Sequence, residues 1–340
     1  MLRQIQMSMI LALAAVLLNG CIIAPNLIPQ YDTLHEVRLQ KADKLLTGDK
    51  ILLLDCSGIV NSEEGHGLAS RPSMLSYVKS SLEKAQDDTS IKAVLLRIDS
   101  PGGSVTASDL IYREVMSFRE QREKDGAPVI VTASMLDMAA SGGYYIAMAA
   151  DKVYAHPTTI TGSIGVIAMF PNAKGLGEKI GLYMNVIKSG EKKDIGSMFR
   201  EMTDAERELL QSMIDEMYNR FVEVVAANRE MLSEADIRKV ADGRIYTALE
   251  ARRYELIDGV KYLDEVIDET KKLAELDDAK VVMYSYDYQS DANIYTQART
   301  SVPRLEASSE KGSVSLIHID ADSLLQDAWP RFEYRYYPNY

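Results

Sequence analysis

KAVLLRIDSPGGS, Lys92 to Ser104, is a compact apolar run that stops abruptly at a turn. Bounded by polar residues, the run predicts a buried β-strand. Proline and two glycines then break the chain, because these residues punctuate regular structure. The amphipathic pattern that follows, to about Lys124, predicts a long helix. Strand, glycine turn and helix form the repeating unit of an α/β sheet. Working outward, the unit recurs. Ile51–Val60, ILLLDCSGIV, reads as a buried strand, and Pro72–Gln86 as a helix with proline at its start. APVIVTA, Ala127 to Ala133, is another strand; KVYA and GSIGVIAM read as short strands, and Met184–Lys188 as one more. This alternation predicts an α/β domain with a largely parallel core.

The flanks differ. Residues 22–45 read as a linker followed by a weak helix. After Thr203 the pattern turns helical, with Thr203 as N-cap and Glu206 as its capping-box partner. Leu209, Leu210, Met213, Ile214, Met217, Phe221, Val224 and Val225 recur at helical spacing, so they read as core or subunit-contact residues. SEAD, Ser233 to Asp236, opens a second helix, and YTALEARRYELID and DEVIDETKKLAEL give two more. From about Tyr284 the chain is polar and tyrosine-rich, ending in EYRYYPNY.

The 340 residues carry a net charge of -12, which argues against nucleic acid as a partner, since phosphate binding needs a basic face. The first twenty residues combine Arg3, the charge-free run MSMILALAAVLL and the ending LNGC, which together read as an export signal. The run is short for a spanning helix, which needs about 20 residues. LNGC resembles a bacterial lipobox, so the mature chain is expected to start at a lipid-modified Cys21. Cys56 is then alone in an apolar strand and reads as a core residue; two cysteines exclude a disulfide framework.

MAASGGYYIA, Met138 to Ala147, sets Ser141 among residues with almost no side chain. A serine becomes a nucleophile only when a base takes its proton. Four histidines are present, His35, His66, His156 and His318, and none stands in a triad signature. The alternative is a lysine made neutral by burial, for which IKSGEKKDIGS offers Lys188, Lys192 and Lys193. An acyl-transfer site also needs backbone donors for the oxyanion. Pro101-Gly102-Gly103 and Gly142-Gly143 can supply them, since glycine leaves the N–H accessible.

RIDSPGGSV, AASGGYYIA, HPTTITGSIGVI and IKSGEKKDI, in this order, resemble the signal peptide peptidase A family, membrane-attached serine proteases on the ClpP/crotonase fold. The resemblance runs from about Ile51 to about Asp268 and includes ADGRIYT near Asp242. It implies a ClpP/crotonase-like α/β fold of repeated ββα units with C-terminal helices. The expected layout is a lipoprotein signal peptide over 1–20, an anchor linker over 21–45, a peptidase domain over 46–283 and a C-terminal extension over 284–340. Motif by motif, Ser141 matches the nucleophile, Lys193 the general base with Lys192 adjacent to it, and Ser163 the serine that orients the lysine. Gly103 and Gly142 match oxyanion donors. No metal or cofactor is implied.

The resemblance further implies peptide substrates, namely cleaved signal peptides and unfolded protein segments. It implies a homo-oligomer, octameric in short members, whose dyad is completed between neighbours, and residence in the bacterial envelope, lipid-anchored and facing the periplasm or exterior. The chain departs from the family in its expected lipid in place of a spanning helix, in Ala248 where glycine is common, and in Tyr254-Glu255. Two other readings of the same fold are a crotonase-type acyl-CoA enzyme and a non-catalytic lipoprotein scaffold.

Overall fold

The computed structural model describes residues 33–44, 47–63, 72–286, 291–298 and 332–336. The expected export signal, Cys21, His66 and His318 lie outside the described residues. The segment read as linker and weak helix instead contains a strand, β1 (His35–Gln40). Its inward Val37 and Leu39 alternate with outward Glu36 and Arg38, and this period of two fits a sheet edge rather than a helix.

The next elements build the core. β2 (Lys50–Ser57) is buried over Ile51–Cys56, as expected for Cys56. α1 (Met74–Gln86) is capped by Ser73, whose hydroxyl accepts from Ser76 N–H. It buries Met74, Tyr77, Val78, Leu82 and Ala85, one helical stripe. β3 (Ile91–Ser100) runs into β4 (Gly102–Ser104). Ser104 then caps α2 (Val105–Lys124). β5 (Ile130–Ala140) ends directly before α3 (Gly142–Ala147). β2 and β3 are covered on both faces, which explains their unbroken apolar runs.

Short strands and helices complete the chain: β6 (Lys152–Ala155), β7 (Ile160–Gly162), β8 (Ile167–Ala168) and α4 (Lys174–Ile180). α5 (Asp204–Asn228) carries the expected Thr203–Glu206 capping box. Its C-terminal half buries Phe221, Val222, Val224 and Val225, whereas Met213 is exposed. α6 (Glu234–Val240), β9 (Ile245–Thr247), α7 (Ala248–Arg253), β10 (Gly259–Val260), α8 (Leu263–Leu273) and β11 (Lys280–Ser285) follow. β12 (Phe332–Arg335) comes from the C-terminal extension. Met184–Lys188, expected as a strand, forms none. It is exposed, and among the described residues no strand pairs with its backbone.

The main sheet has the order β1-β11-β2-β3-β5-β6-β10, parallel except for β1 on β11. β5 changes partner along its length: Thr132–Met135 pair β6, and Met138–Ala140 pair β7. β7 in turn pairs β9 antiparallel. A second, small sheet has the order β4-β12-β8. The carboxyl ends of β3 and β5 and this small sheet meet at one edge, the place where parallel α/β sheets form sites.

Candidate active site

Ser141 sits where β5 turns into α3. Its backbone has φ 54° and ψ -113°, a left-handed conformation that costs a non-glycine residue about 1–3 kcal/mol. The surroundings hold it there: Ser141 N–H donates to the Gly162 carbonyl at 2.7 Å, and Tyr145 N–H donates to the Ser141 carbonyl at 2.9 Å. Serine at a helix start ordinarily caps the helix. Ser141 occupies that position and makes no such bond, so its hydroxyl is not committed to α3.

Ser163 lies alongside. Ala140 and Gly162 are partners in the parallel β5–β7 pairing, so Ser141 and Ser163 leave neighbouring strands at the same level. Ser163 also has a left-handed backbone, φ 50°, and its N–H donates to the Arg244 carbonyl at 2.7 Å. Both serines are buried.

Glycines form the other wall. Val60 N–H donates to the Gly102 carbonyl and Ser104 N–H to the Val60 carbonyl, each at 2.9 Å. Bonding groups alternate sides along a strand, so the Gly103 N–H faces away from Val60, toward β12. There Tyr334 stands opposite Gly103. A Cβ on Gly103 would lie 2.1 Å from the Val60 carbonyl oxygen. One on Gly102, at φ 94°, would lie 2.0 Å from the Tyr334 carbonyl oxygen and 2.6 Å from Gly142 N. Only glycine fits at either position. Gly102 and Gly142 thus close on one carbonyl oxygen of an extended chain, that of Tyr334.

The structure brings Ser141, Ser163, Gly103 and Gly142 together and leaves the lysines outside. Lys192 and Lys193 stand on a single 3₁₀ turn, Glu191–Asp194, within an exposed excursion after α4. Lys188 is occupied: its ammonium donates to the Glu191 carbonyl at 2.8 Å and to Asp194 at 2.6 Å. Lys193 is exposed, and its ammonium makes no hydrogen bond or ion pair among the described residues, although its backbone N–H donates to the Gly190 carbonyl at 3.1 Å. Asp194 is held by Arg200 and Lys188, which keep its carboxyl below the usual range. Arg200 also grips Glu206, holding that carboxyl down at about 2. Of the histidines, His156 is a turn residue: its Nδ1 lies 2.9 Å from the Thr158 hydroxyl and its ring packs edge-on against Tyr262. His35 is exposed on β1.

The aromatic pocket beside Ser141 was not legible as a site. Tyr334 is fully buried against Tyr145 and Phe221, with ring centroids 5.2 and 4.7 Å away. Its hydroxyl donates to the Met217 carbonyl at 2.7 Å. The Tyr145 hydroxyl donates to Asp109, and burial together with that carboxylate pushes the phenol far up. The period-two pattern Phe-Glu-Tyr-Arg at 332–335 was the available signal for a strand.

Among the described residues no three acidic, histidine or cysteine side chains could hold a metal ion, and no helix is long and apolar enough to cross a membrane. The peptidase family S49 profile matches residues 121–277 and the Clp protease profile residues 73–162. The chain is 34% identical over 254 residues to a protein of Enterococcus faecium named as a signal peptide peptidase SppA, covering 74% of this chain and 72% of that one. It is 37% identical to protease 4 of Haemophilus influenzae, over 63% of this chain but 34% of that longer protein. The chloroplastic serine protease SPPA of Arabidopsis thaliana is 37% identical over 68% of this chain and 34% of its own length. Among solved structures, a ClpP1 mutant from Listeria monocytogenes covers 63% of this chain and 92% of its own at 19% identity, with a TM-score of 0.39. The chain belongs to peptidase family S49 and is a serine protease with a ClpP-like α/β fold.

Proposed function

We propose that the chain is a serine endopeptidase using a Ser-Lys dyad, with Ser141 as nucleophile and Lys193 of a neighbouring copy as general base. The observation that carries this reading is the strained, uncapped Ser141 beside a glycine backbone, Gly102 and Gly142, that closes on a peptide carbonyl oxygen. The neutral lysine takes the Ser141 proton, and the alkoxide attacks the scissile carbonyl. The N–H groups of Gly103 and Gly142 stabilise the oxyanion. The lysine then protonates the leaving amine, and water releases the acyl group. Ser163, directly after the adjoining strand, orients the lysine.

A lysine base has to be desolvated to be neutral near neutral pH. Lys193 is exposed in the single chain, so burial has to come from a second copy. Leu182, Tyr183, Met184, Val186 and Ile187 on the same excursion are exposed, Ile187 completely, and such a patch marks a contact surface. A cleft of about 660 Å³ opens beside Ser163, lined by Ile167, Met169, Ile214 and Tyr218. It offers room for the incoming turn. The substrates are peptides, in this reading cleaved signal peptides and unfolded exported segments, cut by a homo-oligomer held at the envelope through lipid on Cys21.

Hydrolysis of a signal peptide or casein tests the reading. Ser141→Ala and Lys193→Ala are each expected to lose activity, and Lys192→Ala to keep it. Dissociated and reassembled together, the two dead variants should regain roughly one quarter of wild-type activity, because random mixing makes that share of interfaces complete. Equal activity in wild type and Ser141→Ala would sink the mechanism. Loss in Lys193→Ala with no recovery on mixing would place the base in the same chain.

A further inference from the structure

The turn Asp242-Gly243-Arg244 is bonded to the chain on either side of the Ser163 side chain. Ser163 N–H donates to the Arg244 carbonyl at 2.7 Å, and Gly243 N–H donates to the Ile164 carbonyl at 3.1 Å. These bonds continue the antiparallel β7–β9 pairing, in which Gly162 stands opposite Ile245. Together they hold Ser163 at φ 50°, a conformation that a non-glycine residue keeps only when its surroundings impose it. Packing adds to the grip. A Cβ on Gly162 would lie 2.6 Å from the Tyr246 ring and 3.1 Å from the Arg244 carbonyl oxygen, so strand and turn touch without a gap. The Tyr246 hydroxyl donates to the Val240 carbonyl at 2.8 Å and closes residues 240–246 into a loop. One carboxylate holds the turn itself. Asp242 accepts from Arg244 N–H at 3.2 Å and from its Nε at 2.7 and 2.9 Å. The guanidinium keeps this carboxyl below its usual range, so the pair stays charged at neutral pH. Both side chains are exposed, and exposed ion pairs add little to stability. The effect of the pair is local: it sets the direction of the Arg244 carbonyl, the atom that receives Ser163.

We propose that Asp242 and Arg244 are positioning residues of the dyad that act through Ser163. The carboxylate sets the turn, the turn sets Ser163, and Ser163 aims the lysine. The proposal rests on the reading that Ser163 orients Lys193. Ser141 is held from the other edge of β7, where its N–H bonds the Gly162 carbonyl beside the β5 pairing. Loss of the brace therefore misplaces the partner of the base and leaves the nucleophile and the substrate contacts in place. The competing explanation is a direct contact, since Asp242 and Gly243 also line the cleft beside Ser163. A direct contact with an incoming lysine needs the negative charge of Asp242. The brace needs only an acceptor oxygen, which asparagine also supplies.

Peptide hydrolysis by the full-length protein tests this, with wild type set beside Asp242→Ala, Asp242→Asn, Ser163→Ala, the double variant Ser163→Ala/Asp242→Ala, and Ser141→Ala. Asp242→Ala is expected to lower kcat roughly tenfold with KM within about twofold, because a misplaced base slows the chemical step without removing substrate contacts. Asp242→Asn is expected to stay within about twofold of wild type, since it keeps the acceptor. In the Ser163→Ala background, Asp242→Ala is expected to cost less than about twofold more, because the hydroxyl it places is already gone. Amide exchange over residues 160–166 should quicken roughly tenfold in Asp242→Ala, while the melting temperature moves by less than about 4 °C. Wild-type kcat in Asp242→Ala, an equal loss in Asp242→Asn, or losses that multiply in the double variant would overturn the proposal and leave the role of Ser141 standing. Full activity in Ser163→Ala, with Ser141→Ala dead, would overturn it in the same way. Full activity in Ser141→Ala would overturn the dyad itself, and the positioning role with it.

Discussion

Ser141 keeps a backbone conformation that glycine would adopt without strain, and the bonds from its N–H to Gly162 and into its carbonyl from Tyr145 hold it there. Strain of this kind persists where the surroundings over-determine it, and it takes about 1–3 kcal/mol from stability. The test is a comparison of two inactive proteins. Ser141→Gly is expected to be more stable than Ser141→Ala by roughly 1 kcal/mol, since relief of strain outweighs the added freedom of the unfolded glycine chain. Chemical denaturation measures it, and a less stable Ser141→Gly would show that no strain is stored at this residue. Ser141, Gly103 and Gly142 were legible in the sequence because each stands in a short local motif, serine or proline followed by glycines at a strand end. Tyr334 was not, because it reaches the pocket from nearly two hundred residues away and only the fold sets it opposite Gly103. The partner of Lys193 was not legible from spacing either, since the single chain leaves that side chain in solvent.

The excursion between α4 and α5 has little regular structure, yet its base is built firmly. Gly181, at φ 72°, ends α4 in a left-handed cap. Arg200 then joins Asp194, at 2.9 Å, to Glu206, at 2.6 Å, and so ties the turn bearing Lys193 to the first turn of α5. Both carboxyls titrate below their ordinary values because Arg200 favours the charged forms. A depressed carboxyl contributes stability above its unfolded value, about 4.5, and that contribution is lost as pH falls toward about 2. The protection factors of amides 188–206, that is, exchange rates corrected for the intrinsic pH dependence of an unstructured amide, are therefore expected to be steady from neutrality to about pH 5 and to fall below about pH 4. Arg200→Ala should exchange fast already at neutral pH and lose activity without losing the melting transition of the sheet. Unchanged exchange in that variant would remove Arg200 as the clamp. At this scale the sequence was informative wherever one residue pattern served one element. The Thr203–Glu206 box and the buried runs of β2 and β3 were read as they stand. β1 was missed because six residues at a sheet edge carry little signal outside their pairing with β11. The strand expected over Met184–Lys188 failed because an apolar run forms a strand only beside another strand.

At the scale of the molecule, the described residues of the long C-terminal extension meet the body at two places. Besides β12, residues 291–298 lie over the ends of β2 and β3, gripped by a buried ion pair. Arg97 and Asp55 are essentially inaccessible and 2.9 Å apart. Arg97 donates to the Ile294 and Thr296 carbonyls at 2.5 and 2.7 Å, and Asp55 accepts from Ala298 N–H at 2.9 Å. The pair therefore bonds three backbone groups of this loop, which supplies the extra bonds a buried ion pair needs to offset its desolvation. Breaking it from one side leaves the other charge uncompensated. Arg97→Met is expected to cost about 3–5 kcal/mol, a large part of a domain stability of about 5–15 kcal/mol. Adding Asp55→Asn should restore a good share of that loss, because the stranded carboxylate is gone, while residues 291–298 stay released in both proteins. Urea unfolding gives the first quantity, and limited proteolysis between Tyr286 and Ala298 gives the second. A double variant as unstable as the sum of the single ones would mean that Arg97 and Asp55 act independently. Recovery of stability without recovery of protease resistance would show that the pair's contribution is to fasten the extension across the top of the sheet, on the same side as the groove that β12 enters.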